Sequence, residues 1–239
     1  MKAIALTRYL PVDHPSALED VELPRPEPGQ QDLLVRVEAV SVNPVDTKLR
    51  APGPPPESRP RVLGFDAAGV VEAVGPGVTG FKKGDRVGFS YGYCGVCEAC
   101  RRGMPYGCEE NRRLNFSGAQ LDGTKRLHFN GQEVSSFFGQ GAFATHAVVH
   151  VNNLIPVPDG IDTALVAPMG CGIQTGAGAV LNYLKPEPAS SVIITGCGPV
   201  GLSAVMAAKI AGCVTIIACD VIDSRLDMAK ELGATHTIN

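Results

Sequence analysis

Residues Ser191–Asp220 read S-V-I-I-T-G-C-G-P-V-G-L-S-A-V-M-A-A-K-I-A-G-C-V-T-I-I-A-C-D. Val192–Thr195 is a short apolar run rich in β-branched side chains, the pattern of a buried strand. The turn Gly196-Cys197-Gly198-Pro199-Val200-Gly201 follows, with glycines at G-x-G-x-x-G spacing. Leu202–Ala211 holds small and apolar residues suited to a helix and stops at Gly212. Val214–Cys219 is a second buried strand, closing on Asp220. Strand, glycine turn, helix, strand and acid in this order predict a dinucleotide site. Gly196 permits the tight turn, Gly198 lets a pyrophosphate approach the backbone, and Gly201 lets the helix lie close to the strand. The helix start at Pro199 and Val200 offers free N–H groups and a partial positive charge to phosphates. Asp220 stands where a carboxylate accepts ribose hydroxyls and repels a 2′-phosphate, which favours NAD over NADP. A chance glycine turn is the plain alternative; the flanking strands and the acid weigh against it.

A chain of 239 residues holds one large or two smaller domains and can bury a sizeable core. Its net charge of −3 gives no sign of a nucleic-acid or membrane-surface partner. No basic, apolar leader opens the sequence. Two uncharged runs, Thr163–Leu184 and Ala189–Ala208, are broken by glycines and by Pro168 and Pro199, so neither is read as a membrane span. Eight cysteines without a leader point to a reducing cytoplasm, where clustered thiols more often bind metal than pair.

Taken in order, Met1–Leu6 and Leu33–Val40 read as strands, joined in part by a proline-rich surface connection at Leu23–Gln30. Ala51–Pro60 carries five prolines and reads as loop. Val70–Val74 and Asp85–Phe89 are further short strands around a turn-rich Gly75–Gly84. Many short strands between turns predict a β-barrel-like domain. Asn111–Gly139 is polar and turn-rich, with Phe137–Phe138 returning to the core, and Phe143–Val151 is a last strand. Asn153–Gly160 reads as a hinge, Thr175–Leu184 as a helix and Lys185–Ala189 as a linker. His146 and His150 share a strand face, and no acid or cysteine adjoins them, so a structural or surface role is read there, as for His14, His128 and His236.

Cys94, Cys97, Cys100 and Cys108 form C-x2-C-x2-C-x7-C. Four thiolates on one small loop suit a closed, structural, tetrahedral zinc. An iron–sulfur cluster is the rival, although its common close spacing ends C-x3-C-P and Glu109 follows Cys108 here. Disulfide pairing is the third reading.

The Cys94–Cys108 lobe, G-C-G-P-V-G at 196–201, M-G-C-G-I-Q-T-G at 169–176 and L-G-F-D-A-A-G-V-V-E-A-V-G at 63–75 together resemble the medium-chain, zinc-type alcohol dehydrogenase family over the whole chain. The resemblance implies an α/β fold with a β-barrel domain. Residues 1–157 would be a GroES-like catalytic domain with the zinc lobe at about 91–110, and 158–239 the first half of a Rossmann NAD-binding domain, with the active site in the cleft between. Residues 91–239 resemble aryl (benzyl) alcohol dehydrogenases, through N-F-S-G at 115–118, F-F-G-Q at 137–140 and L-G-A-T-H-T-I-N at 232–239. Residues 1–90 resemble zinc-independent quinone reductases, through S-V-N-P-V-D-T-K at 41–48.

The family's catalytic zinc takes a cysteine and a histidine from the first domain and a cysteine near the cleft. Cys171 matches the last of these, but Asn43-Pro44 and Gly64-Phe65-Asp66 stand at the other positions. Zinc needs three protein ligands and an open position, so Cys171 reads as a remnant of that site or a small buried thiol. By resemblance to the zinc-independent branch, Asn43 and Thr47 would supply hydrogen-bond donors to a carbonyl. Thr175 would lie near the nicotinamide, and Asp46 fits either the site or the fold. The implied activity is NAD-dependent hydride transfer between nicotinamide and an alcohol or carbonyl, with an aryl compound as one candidate. A quinone or enone reductase is the second reading. Relatives are longer and form homodimers or homotetramers, and Ala234–Asn239 reads as a third sheet strand. The third reading is therefore a C-terminally incomplete, zinc-stabilised fragment without turnover.

Overall fold

The computed structural model describes residues 1–50, 60–120 and 122–239. Residues 51–59 of the expected proline loop lie outside them. The chain divides into two compact units, Met1–Gly170 and Cys171–Asn239.

The first unit opens with β1 (Lys2–Leu6), β2 (Glu19–Glu22), β3 (Asp32–Ser41) and helix α1 (Pro44–Arg50). Pro44 begins α1, where a missing N–H costs nothing, and Asp46 accepts from the Asn43 amide at 2.9 Å, one arm of a capping box. Strands β4 (Arg61–Val62), β5 (Asp66–Val74) and β6 (Arg86–Phe89) follow. Helix α2 (Glu98–Arg101) lies in the cysteine lobe, and α3 (Asn111–Phe116) leads away from it. Strands β7 (Leu127–Phe129), β8 (Gln132–Ser136), β9 (His146–His150) and β10 (Leu154–Pro156), then helix α4 (Thr163–Val166), complete the unit.

Its strands form two five-stranded sheets, ordered β2-β1-β4-β8-β7 and β10-β6-β5-β3-β9. In the second sheet Leu33 pairs with Val149 and Ala68 with Gly88. Register shifts at Leu34/Val35 and Val37/Ala39 bend β3. Leu33, Val35, Val71, Val87, Phe89 and Val149 bury the inner face of this sheet, and Ala3, Ala5, Val62 and Val134 do so in the other.

Two stretches depart from the sequence reading. Asn111–Gly139 is more regular than its polarity suggested, because α3 and the β7–β8 hairpin lie within it and bury Leu114, Leu127 and Val134. Asn153–Gly160 is no simple hinge: β10 within it pairs with β6, Leu154 against Phe89. Helix α4 then packs on β3 and β5 through Val166, so the first unit runs on to Gly170 instead of ending near 157.

The second unit begins with α5 (Gly172–Gly178), which starts earlier than expected and passes into a π-helical turn at Ala179–Leu184. Strand β11 (Ser191–Thr195), helix α6 (Pro199–Ile210), strand β12 (Thr215–Cys219), helix α7 (Asp223–Leu232) and strand β13 (His236–Ile238) follow. The three strands are parallel, in the order β11-β12-β13, with Ile193 opposite Ile217. Val192, Ile194, Ile216 and Ala218 face Val205 and Ala208 of α6 and Leu226 and Ala229 of α7 in one buried cluster. The alternate residues Ile193 and Ile238 are 64% and 55% exposed. Among the described residues no single helix is long and apolar enough to cross a bilayer.

Candidate functional site: a glycine turn, a four-cysteine lobe and a buried carboxyl

The glycine turn joins β11 to α6, and its three glycines have separate reasons. Gly196 sits at φ +86°, where an L side chain is strained. At Gly201 a Cβ would lie 1.7 Å from the Gly196 carbonyl oxygen, so the helix reaches the turn only without a side chain there. Gly198 has an ordinary φ of −77°, and a Cβ there would meet nothing within 4 Å. Neither its conformation nor the packing of the chain demands glycine; the open space is what a group approaching the backbone would fill. Gly198 also caps α6 without any side-chain hydrogen bond, and Pro199 and Val200 form an exposed first turn.

Asp220 adjoins this turn. Its Oδ2 accepts from the Cys197 amide at 2.6 Å and its Oδ1 from the Ile222 amide at 3.0 Å. The Cys197 amide, above all, holds its carboxyl below the usual carboxylate range. A cavity of about 430 Å³ opens beside it, lined by Gly196, Val221 and Arg225 among others. Arg225 lies 3.7 Å from Asp220 and was not singled out from the sequence. Its position in the first turn of α7 brings a cation to the same wall as the acid. Thr175 is exposed on α5, in the second unit, and its amide donates to the Cys171 carbonyl. Gly176, also missed, lets α5 cross α6: a Cβ would lie 1.9 Å from the Val200 carbonyl oxygen.

The four sulfurs of Cys94, Cys97, Cys100 and Cys108 lie within 4.8 Å of one another, and none of the eight cysteines is in a disulfide. Cys94 and Cys100 are 4.0 Å apart, close to the separation that four sulfurs at about 2.3 Å from a tetrahedral ion adopt. The Cys94 amide donates to Cys108 Sγ and the Cys97 amide to Cys94 Sγ, each at 3.3 Å. Such donors suit thiolates. The backbone amide of Cys100, chiefly, pulls the Cys97 thiol down to about 7, while burial pushes Cys100 up to about 12. Side chains this close cannot all ionise without a cation among them, so the donor set fits a divalent metal. Asn115 fixes the base of the lobe: its Oδ1 accepts from the Gly92 amide at 2.7 Å and its Nδ2 donates to the Gly92 carbonyl at 3.0 Å.

A second polar group lies where β3 meets α1. Asp66 is fully buried, and its Oδ2 accepts from Asn43 Nδ2 at 3.1 Å. Burial raises the Asp66 pKa to about 7, although Asn43 and the backbone amide of Gly170 favour its ionised form. Asp46 is buried too, and accepts from the amides of Asn43 and Gly64, so its role is to support the fold. Phe65 is 3% exposed and stacks on Phe138 at 4.1 Å, with Phe137 edge-on at 5.4 Å. The position where the resemblance implies a histidine ligand is thus part of an aromatic core.

Asn43 and Thr47, expected to donate to a carbonyl, have their hydrogens engaged within the fold. Asn43 Nδ2 donates to Asp66 and, at 3.4 Å, to the Ser41 carbonyl. Thr47 spends its one hydroxyl hydrogen on the Pro44 carbonyl at 2.8 Å. Neither keeps a donor for a carbonyl; both keep an acceptor. Cys171 caps α5 and is half-buried. Among the described residues, the four-cysteine lobe is the one cluster of three or more metal-ligating side chains. With Asn, Pro and Phe at the other ligand positions, the residues do not fit a catalytic zinc. The histidines have structural partners: His146 Nε2 lies 3.3 Å from Glu72, and His150 Nδ1 accepts from the Asn152 amide at 3.1 Å.

A paired-sheet unit carrying a four-cysteine lobe, followed by a parallel β-α-β unit with a glycine turn, defines a zinc-type dehydrogenase architecture. Residues 29–159 match the alcohol dehydrogenase GroES-like domain and residues 199–239 the zinc-binding dehydrogenase domain. The chain belongs to the alcohol dehydrogenase family, with a GroES-like first unit and a Rossmann-type second unit. It is 41% identical over 230 residues to a geraniol dehydrogenase of Castellaniella defragrans, covering 95% of this chain and 61% of that one. It also resembles the crystal structure of benzyl alcohol dehydrogenase from Acinetobacter calcoaceticus, with a TM-score of 0.89 and 42% identity. That match covers 100% of this chain and 63% of the other. A zinc-binding-domain alcohol dehydrogenase from Burkholderia ambifaria gives a TM-score of 0.89 at 43% identity, with 100% and 63% covered. The chain therefore spans about three fifths of the length of these relatives.

Proposed function

We propose that this chain is part of an NAD-dependent alcohol dehydrogenase, serving hydride transfer between nicotinamide and an alcohol–carbonyl pair. The relatives named for geraniol and benzyl alcohol favour a primary allylic or aryl alcohol. The observation that carries the reading is Gly198: a glycine without a conformational or packing reason, at a helix start, in the same turn as Gly196, which lines a cavity with Asp220. The backbone of Gly196–Gly201 would receive the pyrophosphate, and Asp220 has lone pairs left for ribose hydroxyls. The nicotinamide supplies the hydride chemistry when bound; the residues described here bind and orient. Thr175 is assigned to the cofactor side on the family resemblance alone.

Met1–Gly170, slightly longer than the expected 1–157, is assigned as the catalytic domain and Cys171–Asn239 as half of the nucleotide domain. Cys94, Cys97, Cys100 and Cys108 would hold one structural zinc, which ties the lobe together and takes no part in the reaction. A reducing compartment such as the cytoplasm suits four such thiolates. The quinone or enone reductase reading draws on the missing catalytic-zinc ligands. Such a reaction needs donors at the electrophile, and Asn43 and Thr47 have none to offer.

An NADH titration of the purified chain, followed by cofactor fluorescence with NADPH alongside, tests the proposal. Saturable binding, tighter for NADH, is expected. Absence of binding at about millimolar cofactor (a Kd worth only about 4 kcal/mol) would overturn it.

A further inference from the structure

Helix α6 packs against both α5 and α7. The contact with α5 falls on the start of α6, where the glycine turn ends. A Cβ on Gly176 would lie 1.9 Å from the Val200 carbonyl oxygen and 2.9 Å from the Ala204 amide nitrogen. Ser203 Oγ donates to the Gly172 carbonyl of α5 at 3.3 Å. On the α7 side, Arg225 walls the cavity beside Asp220. The turn therefore touches the cavity through Gly196 and α5 through Val200. A dinucleotide with one nucleoside in the cavity and its pyrophosphate on the turn sends its other nucleoside past Val200 towards α5. Pro199, Val200 and Thr175 are exposed there.

The two helices are not held equally. Gly201 is pressed on the Gly196 carbonyl, and Ala204, Val205, Ala207 and Ala208 are buried, so α6 is fixed to the sheet. Within α5 only Gly176 is buried. Crowding where they cross thus displaces α5 and leaves the turn in place.

We propose that Gly176 is a positioning residue for the nicotinamide half of the dinucleotide: by admitting α5 to the backbone of Val200, it holds the exposed Thr175 hydroxyl beside the path of that half. The adenosine half, on the Gly196 side, does not depend on α5. This role rests on the NAD reading; the close approach of the two helices does not.

The test compares NADH with ADP, which keeps the adenosine and pyrophosphate and lacks the nicotinamide riboside, by calorimetric titration of the full chain. The unsubstituted chain should bind both. In Gly176→Ala, NADH affinity should fall about tenfold, as the loss of one hydrogen bond allows, while ADP affinity changes by less than about twofold. Thr175→Val removes the hydroxyl and should reproduce this split, yet add little to it in the Gly176→Ala background. Gly178→Ala, whose methyl meets only Asn182 Nδ2 at an ordinary 3.7 Å, should bind both ligands like the unsubstituted chain.

Equal losses of NADH and ADP in Gly176→Ala would overturn the proposal, because the turn would then have moved with α5. Full NADH affinity in Thr175→Val would overturn it even if Gly176→Ala failed to fold. A chain that binds ADP but gains nothing from the nicotinamide riboside would overturn this role and leave the pyrophosphate site standing. Binding of neither ligand would sink the NAD reading itself, and this role with it.

Discussion

Asp220 Oδ2 and the Cys197 amide, 2.6 Å apart, tie the end of β12 to the middle of the glycine turn. The acid therefore shapes the turn as well as facing the cavity. Asp220→Ala should weaken NADH binding by about tenfold or more, the worth of a charge-assisted bond. Asp220→Asn keeps an acceptor for Cys197 and should retain the turn while narrowing the preference for NADH over NADPH. Parallel titrations of both variants check this; an unchanged preference in Asp220→Asn would remove the carboxylate from cofactor selection.

Gly198 and Gly201 separate a ligand's requirement from the fold's. Gly201→Ala drives a methyl into the Gly196 carbonyl and should cost about 3 kcal/mol of stability, the upper range for overpacking. Gly198→Ala places its methyl in open space and should change stability by no more than about 0.5 kcal/mol. Its NADH affinity should nevertheless fall about tenfold, or about 1.4 kcal/mol. Urea unfolding and cofactor titration of the pair decide it, and full NADH affinity in Gly198→Ala would count against the pyrophosphate assignment.

Metal content reports on the lobe. The purified chain should carry about one zinc, as four cysteine ligands require. Cys100→Ala should carry none and should expose the Cys94–Cys108 segment to protease. About two zinc ions per chain would mean that a second site forms despite Asn43 and Phe65.

Asp66 makes stability depend on pH. Burial raises its pKa in the folded chain to about 7, against 3.8 for the free group. The folded state thus holds a proton that the unfolded state has lost between these values. Stability is highest below the lower value and falls as pH rises towards 7, by on the order of 4 kcal/mol in all. Above that it levels off. In Asp66→Asn the fall between about pH 5 and pH 8 should disappear. Unfolding free energies across that range test this, and parallel curves for the two proteins would show that Asp66 is ionised in the fold throughout.

What was legible in the sequence is what short stretches of chain decide by themselves. The run from Val192 to Asp220 is strand, turn, helix and strand because its apolar spacing and glycines act over a few residues. The cysteines from 94 to 108 meet because a short loop has nowhere else to put them. Their chemistry, and the architecture they imply, followed without coordinates. Short strands in polar surroundings were less legible. β8 and β10 each bury a single large apolar residue, Val134 and Leu154, and each pairs with a strand distant in sequence, β8 with β4 and β10 with β6.

The tertiary structure alone decided which hydrogens and lone pairs the site residues have left. Asn43 reads as a donor in any one-dimensional list of side chains. Only the approach of Asp66, 23 residues on, and of the Ser41 carbonyl shows that its donors are spent. Likewise, burial sets the proton affinity of Asp66, and the packing of Phe65 on Phe138 removes that position from any ligand set. Composition and spacing determine which groups a site can contain; desolvation and long-range hydrogen bonds, which arise only on folding, determine what those groups can still do.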